Sequence, residues 1–120
     1  MSMIKDLSHL CLSGIFIRNG AQAFLSPGPR VNMVANAGIP QPNLAVELNG
    51  ALMVIGGVLL ALGIAPRLAA AILIACLIPT TFVGHAFWKE ENEATRNNHR
   101  TQFAKNLGLI GGLLMVLLEG

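Results

Sequence analysis

The stretch LAAAILIACLIPTTFVGHAF, residues 68–87, decides the fold because it holds 20 consecutive residues without a charge. A helix needs about 20 mostly apolar residues to cross a bilayer, and this stretch has that length. Residues 68–78 have no polar face, which argues against a helix of a water-soluble four-helix bundle. The sequence therefore predicts a membrane-spanning helix here.

The composition of the whole chain agrees with a membrane protein. Of its 120 residues, 53% are hydrophobic and only 12% are charged, about half the usual fraction for a soluble domain. This composition excludes a disordered chain, and two cysteines are too few for a disulfide scaffold. The net charge of +2 is too small to indicate nucleic-acid binding.

Three further segments are apolar over most of a span, so we predict an all-α, integral membrane protein with a four-transmembrane-helix bundle. The predicted helices form a single domain, 1–120, and cover residues 7–25, 44–63, 68–87 and 103–118. The segment 26–43 is rich in Pro and Gly and is predicted as a loop with a short interfacial helix over 30–37. Residues 63–67 form a predicted tight turn, and residues 88–102 a polar loop.

Several local features allow more than one interpretation. Residues 7–17 followed by Ala21-Gln22-Ala23 resemble a signal peptide, which is an alternative to a first spanning helix. Pro79 is expected to kink its helix and to free a carbonyl near Thr80 and Thr81, which would line a cavity. Small residues at close-packing spacing predict tight helix contacts within the chain or a homo-oligomer: Gly50, Gly57, Ala61, Gly108 and Gly112.

The polar residues inside the predicted spans fall in one half of the membrane. We call the face with both termini side A and the face with the two long loops side B. A rise of 1.5 Å per residue puts Arg18 about 16 Å from side A and Glu47 about 5 Å below side B. The predicted cluster also includes an aromatic residue at the membrane interface, Trp88. Its members are Arg18, Gln22, Glu47, Asn49, His85, Trp88, Lys105 and Asn106.

Charges inside a membrane normally face the bundle interior with a partner, so Glu47 is the expected partner of Arg18, with Lys105 as a competitor. Two interpretations stay open: an ion pair that only sets the helix register, and a functional pocket that opens to side B.

No catalytic residue and no motif with the spacing of metal ligands is predicted. His9 and His85 differ in depth by about 20 Å, which excludes haem ligation within one chain. Cys11 and Cys76 are predicted to be buried free thiols.

Five motifs resemble the DoxX family in order along nearly the whole chain. Helix one contributes Arg18, Gly20 and Phe24. Helix two and the turn after it contribute Glu47, Gly56-Gly57, Leu62-Gly63 and Pro66-Arg67. The other three are GIPQP at 38–42, GHAFW at 84–88 and FAKNL at 103–107. Arg18, Glu47, His85, Lys105 and Asn106 match the typical polar positions of that family.

The resemblance implies a multi-pass protein of the bacterial inner (cytoplasmic) membrane. The family is named after a small subunit of a thiosulfate:quinone oxidoreductase, and its relatives are linked to membrane oxidoreductase complexes and thiol redox balance. We therefore expect oxidoreductase partner proteins, no covalently bound cofactor, and a quinone as the candidate ligand. Two alternatives are a small-solute or proton-coupled transporter or channel and a non-catalytic scaffold or assembly factor. The resemblance does not decide whether the chain is an enzyme.

The positive charges predict an orientation. The side B segments hold Arg30, Lys89, Arg96 and Arg100, whereas the side A segments hold Lys5 and Arg67. Lysine and arginine are enriched in cytoplasmic loops. Side B is therefore predicted to face the cytoplasm, with both termini outside.

Overall fold

The computed structural model describes residues 3–26, 28–84 and 91–119, and throughout these ranges the regular structure is helical. The all-α prediction is confirmed. Five α-helices occur there: α1 (Met3–Leu25), α2 (Gly28–Asn36), α3 (Pro42–Leu62), α4 (Pro66–Pro79) and α5 (Glu93–Glu119). The helix α2 confirms the short helix predicted between the first two long ones.

Glycines bring α1 and α3 into close antiparallel contact. A Cβ atom built on Gly20 would lie 2.6 Å from the carbonyl oxygen of Gly50, and one built on Gly57 would lie 2.7 Å from Ile17. Higher residue numbers on α1 therefore meet lower numbers on α3. Only glycine permits this backbone approach, so the predicted close packing by small residues is confirmed at Gly50 and Gly57.

A tight turn joins α3 to α4, as predicted. Gly63 ends α3 in the left-handed region at φ 71°, where glycine is favoured. Its amide donates to the carbonyl of Leu60 at 3.1 Å, and the amide of Ile64 donates to that of Leu59 at 2.9 Å. Pro66 then begins α4, because the first turn of a helix does not need its missing N–H. The two helices form an antiparallel hairpin.

Pro79 changes the helix type of the third long helix. The α-helical part ends at Pro79, and a π-helical segment continues over Thr80–Gly84. Proline has no N–H to donate and its ring clashes with the preceding turn, so the regular ladder of hydrogen bonds is interrupted here. The predicted perturbation at Pro79 therefore takes the form of a change from α to π winding.

The last helix begins ten residues earlier than the sequence predicts. The prediction of a polar loop is wrong for residues 93–102, because α5 begins at Glu93. Asn92 caps this helix: its side-chain Oδ1 accepts from the Thr95 amide at 3.1 Å, and its carbonyl accepts from the Arg96 amide at 2.8 Å. The carboxylate of Glu93 also favours the first turn through the helix dipole.

The long helices enclose one apolar core and leave an apolar outer surface. α3 packs on both α1 and α4, α4 packs on α5, and α1 and α5 contact each other only slightly. The core includes Phe16, Leu60, Leu73 and Leu113 from four different helices. Many large apolar side chains are exposed, among them Leu48, Ile55 and Leu62 along α3. A water-soluble bundle carries polar side chains at such positions.

Two helices within the described ranges are long and apolar enough to cross a membrane by length and composition: Pro42–Leu62 and Glu93–Leu118. The apolar stretch Pro66–Phe82, which joins α4 to the start of the π-helical segment, is shorter. The predicted set of four spans is thus supported by this criterion for the second and fourth helices.

Candidate functional site

A cavity of about 530 Å³ lies between the four long helices and beneath α2. Most of its lining is apolar, with Phe16, Val46, Met53 and Leu77 contributed by α1, α3 and α4. Six polar side chains also reach it: Asn19, Arg30, Asn49, Thr80, Lys105 and Asn106. An apolar cleft with a few converging polar groups is the typical form of a small-molecule site.

Thr80 and Asn49 form a hydrogen-bonded pair on one wall of the cavity. The Asn49 side-chain amide donates to the Thr80 hydroxyl oxygen at 3.1 Å and also lies 3.7 Å from the sulfur of Met53. The Thr80 hydroxyl in turn donates to the carbonyl of Cys76 at 3.0 Å. The interrupted helix makes this bond available, because the Thr80 backbone amide donates to Leu77 instead of Cys76. Thr81 is fully buried and donates to the Leu77 carbonyl at 2.7 Å.

Lys105 and Asn106, which are neighbours on α5, also line the cavity. The Lys105 ammonium donates to the side-chain oxygen of Gln102 on the same helix at 2.6 Å. Asn106 is only 3% exposed, and within the described parts of the chain its side chain has no hydrogen-bond partner. In the same parts of the chain, every polar side-chain atom that is completely inaccessible to solvent has a hydrogen-bond partner. The small accessible part of the Asn106 amide therefore faces the cavity that this residue lines.

The lining is rich in hydrogen-bond donors. Arg30 of α2 and Lys105 of α5 are the cations, and Asn19, Asn49 and Asn106 add three amides. Among the lining side chains that the structure describes, none is a carboxylate. The polar part of the cavity therefore suits a ligand that presents hydrogen-bond acceptors, with an apolar body against the aliphatic walls.

Three of the residues predicted from depth, Asn49, Lys105 and Asn106, lie together on the cavity. Two others, Arg18 and Gln22, are exposed on the outer face of α1. The prediction used only the depth of each residue along its helix, and depth does not specify the direction in which a side chain points. His85 and Trp88 lie outside the described residues.

Glu47 is half-buried on α3 and is absent from the described cavity lining. The predicted pair with Arg18 is not formed, since neither side chain has an ion-pair partner within the part of the chain that the structure describes. The packing of α1 on α3 explains why. Gly57 lies against Ile17, so the residues of α3 beside Arg18 are about 10 Å of helical rise away from Glu47. Lys105 likewise interacts with Gln102 and not with Arg18.

Two cavity residues were missing from the predicted cluster. Asn19 interrupts the same apolar segment as Arg18. A helical wheel with Phe16 and Ala23 on the buried face would have indicated that Asn19 lies nearer to that face than Arg18 does. Arg30 reaches the cavity only because α2 folds over it, and no local pattern predicts that contact. Thr80, expected near a cavity because of Pro79, does line one.

The remaining candidates for chemistry are sparse. Cys11 and Cys76 are free thiols, as predicted, but the prediction that both are buried is wrong for Cys11, which is exposed on α1. His9 is buried on the inner face of α1. Within the described ranges, no group of three or more His, Cys, Asp or Glu side chains is arranged to hold a metal ion.

A family model described as DoxX matches residues 7–86, which is more than half of the chain. The chain belongs to the DoxX family. The matched range begins within α1 and includes α2, α3 and α4, and therefore most of the cavity lining, while Lys105 and Asn106 follow it. No curated protein and no solved structure is significantly similar to this chain. Membership of the DoxX family, together with the two apolar helices, indicates a membrane protein.

Proposed function

We propose that this DoxX protein is a four-helix transmembrane subunit that serves a quinone-linked or thiol/sulfur oxidoreductase system, and that its cavity holds the quinone head group. The observation that carries the proposal is the apolar, donor-rich cavity in a member of this family. A quinone has acceptor oxygens on a flat ring and an apolar tail, which matches the two parts of the lining. When bound, it would supply a carrier for two electrons and two protons.

The lengths of the helices support the four-span arrangement. The hydrocarbon core of a bilayer is about 30 Å thick. The 23 residues of α1 rise about 34 Å, and the 14 residues of α4 with the 5 of the π-helical segment rise about 28 Å. Since α1 lies against α3 over much of its length, a membrane that contains α3 would also contain α1. The excess of Lys and Arg near side B favours an inner-membrane orientation with the termini outside.

Four of the polar groups in the cavity have a definite role in this proposal. Lys105 and Asn106 would donate hydrogen bonds to one acceptor oxygen of the ring, with Asn106 already free of other partners in the described structure. Arg30 approaches from α2 and would donate at the side B end. The Asn49 amide donates one N–H to Thr80, and its nitrogen also meets the Met53 sulfur at 3.7 Å, a weak acceptor that a ring oxygen would replace. The aliphatic walls would hold the ring plane and exclude water.

The test is the binding of a short-chain ubiquinone to the purified protein in lipid nanodiscs, measured by equilibrium dialysis. Lys105→Met removes the ammonium with little change in length, and Asn106→Leu removes the amide with little change in volume. We expect each to weaken binding about tenfold, since a hydrogen bond to a buried polar group contributes on the order of 1–2 kcal/mol. Asn98→Leu is the matched control, because Asn98 is exposed on the same helix.

Absence of saturable binding by the wild-type protein would refute the quinone proposal and leave the scaffold alternative. Equal losses in Asn106→Leu and Asn98→Leu would show that binding occurs outside the cavity. The transporter alternative makes a different prediction, because it requires solute uptake into proteoliposomes that Glu47→Gln abolishes. Glu47 is not among the described lining residues, so the cavity itself does not favour that alternative.

A further inference from the structure

The outward face of α1 carries two polar side chains, Arg18 and Gln22, between exposed apolar residues such as Leu7 and Leu25. Exposed side chains recur every three or four residues along it, opposite the buried stripe that includes Ser13 and Gly20. The outward face of α3 has no charge at comparable positions, since it presents Leu48, Ile55 and Val58. We call the middle part of the outward face of α1 the α1 outer stripe, and its members are Cys11, Gly14, Arg18 and Gln22.

The packing of α1 on α3 gives the depth of Arg18. Gly57 contacts Ile17 and Ser13, and Gly20 contacts Met53 and Val54. Arg18 is therefore level with residues 54–57 of α3, about 10 Å of helical rise from the nearer end of that helix and about 20 Å from the other. An arginine at such a depth is costly when it faces lipid and normally has a partner.

Among the residues that the structure describes, no carboxylate meets Arg18 at this depth. Glu47 is the acidic residue within the spans, and it lies about 10 Å or more of rise closer to side B. Asp6 on α1 itself is 12 residues away, or about 18 Å of rise. No ion pair to Arg18 occurs among the described side chains.

A second copy of the chain does not supply the partner either. When two copies share one orientation in the membrane, a symmetric dimer has its axis along the membrane normal, which keeps each residue at its own depth. Contact of two α1 outer stripes would therefore place Arg18 beside Arg18 of the other copy, and contact with α3 would leave Glu47 at the wrong depth. A carboxylate beside Arg18 at this depth would therefore come from a different protein.

We infer that the α1 outer stripe binds a transmembrane helix of another protein that carries an aspartate or glutamate near the middle of the membrane. This inference rests on the proposed transmembrane arrangement but not on quinone binding. Gly14 helps the approach, because a Cβ built there has no heavy atom within 4 Å and the backbone is open to a neighbouring helix. Gln22 adds a second polar contact one turn further along.

The experiment measures binding of synthetic helices to the fluorescently labelled full-length protein in phosphatidylcholine vesicles by energy transfer. One peptide is a Leu/Ala helix of about 21 residues with a single central Glu, and its control has Leu at that position. We expect the Glu peptide to bind the wild-type protein about fivefold more tightly, the scale of polar contacts between membrane helices. The preference should disappear in Arg18→Leu and persist in Arg67→Leu, which changes an exposed arginine in the first turn of α4.

Three results would overturn the inference. The first is equal binding of the two peptides to the wild-type protein, and the second is a preference for the Glu peptide that survives in Arg18→Leu. The third is a crosslinked product with twice the mass of the chain as the main product, when a photo-crosslinking residue replaces Gly14 in cells.

An alkaline carbonate wash separates this inference from the proposed function. A protein that is washed off membranes contradicts the four-span arrangement, whereas one that stays but shows no peptide preference contradicts only the inference.

Discussion

Replacing Gly20 by alanine should push α1 and α3 apart. The added Cβ would lie 2.6 Å from the Gly50 carbonyl oxygen and 2.8 Å from the Met53 Cβ. Neither atom is the end of a flexible side chain, and non-bonded carbon atoms in contact are normally about 3.5 Å or more apart. The helices would therefore separate by roughly 0.5–1 Å, a gap that forfeits about a quarter to a half of each dispersion contact across the interface.

The expected effect is a loss of about 1–3 kcal/mol in the free energy of unfolding relative to a matched control. Gly14→Ala is that control, because a Cβ at Gly14 meets nothing within 4 Å on the same helix. Both changes gain about 1 kcal/mol of helix propensity, so this contribution cancels in the comparison. The two free energies of unfolding are measured by circular dichroism during titration from mild detergent into sodium dodecyl sulfate.

Equal free energies of unfolding for Gly20→Ala and Gly14→Ala would refute the packing that we describe between α1 and α3. The comparison also bears on the site, because Asn19 and Asn49 flank the two contacting glycines and line the cavity from the two helices. A separation of α1 from α3 should therefore weaken ligand binding without any change to a polar lining residue.

Two further substitutions test local features of the fold. Thr80→Val removes the hydroxyl that links Asn49 to α4, and should lower the free energy of unfolding by about 1 kcal/mol, whereas Thr101→Val, at an exposed hydroxyl on α5, should change it little. The first result would be contradicted by equal effects of the two variants in the same detergent titration. Gly63→Ala places a Cβ at φ 71° and should cost about 1 kcal/mol or more, whereas Gly108→Ala, in open space on a helix, should stabilise. A Gly63→Ala variant as stable as the wild type would contradict the left-handed turn.

The two cations inside the helices face different surroundings. Lys105 lines the cavity, whereas Arg18 lies on the outer face of α1. Under the two proposals, Lys105 would contribute to the small-molecule site and Arg18 to the contact with a partner helix. The experiments therefore separate the roles, because Lys105→Met should alter quinone binding and Arg18→Leu should alter only the association with an acidic helix.

The sequence predicted the helical class, the family and several boundaries from strong local signals. The charge-free stretch at 68–87 and the apolar segments around it indicate membrane helices, and Gly63 with Pro66 marks the turn between α3 and α4. Pro79 indicated an irregular helix, though not that it would continue with π winding. The start of α5 was missed because the low hydropathy of a charged stretch such as 93–102 is equally compatible with a loop and with a solvated helix end. Only the Asn92 cap distinguishes the two.

The position of a residue along a helix is determined by the sequence, since each residue adds a constant rise, and this was enough to group Asn49, Lys105 and Asn106 in one half of the protein. The direction of a side chain around the helix depends on which neighbours the helix packs against. That is why only the tertiary structure decided that Asn19 faces inward and Arg18 outward, that Arg18 and Glu47 are out of register, and that α2 brings Arg30 over the cavity. Helix rise is a local property of the backbone, whereas the choice of buried face depends on contacts between residues far apart in the chain.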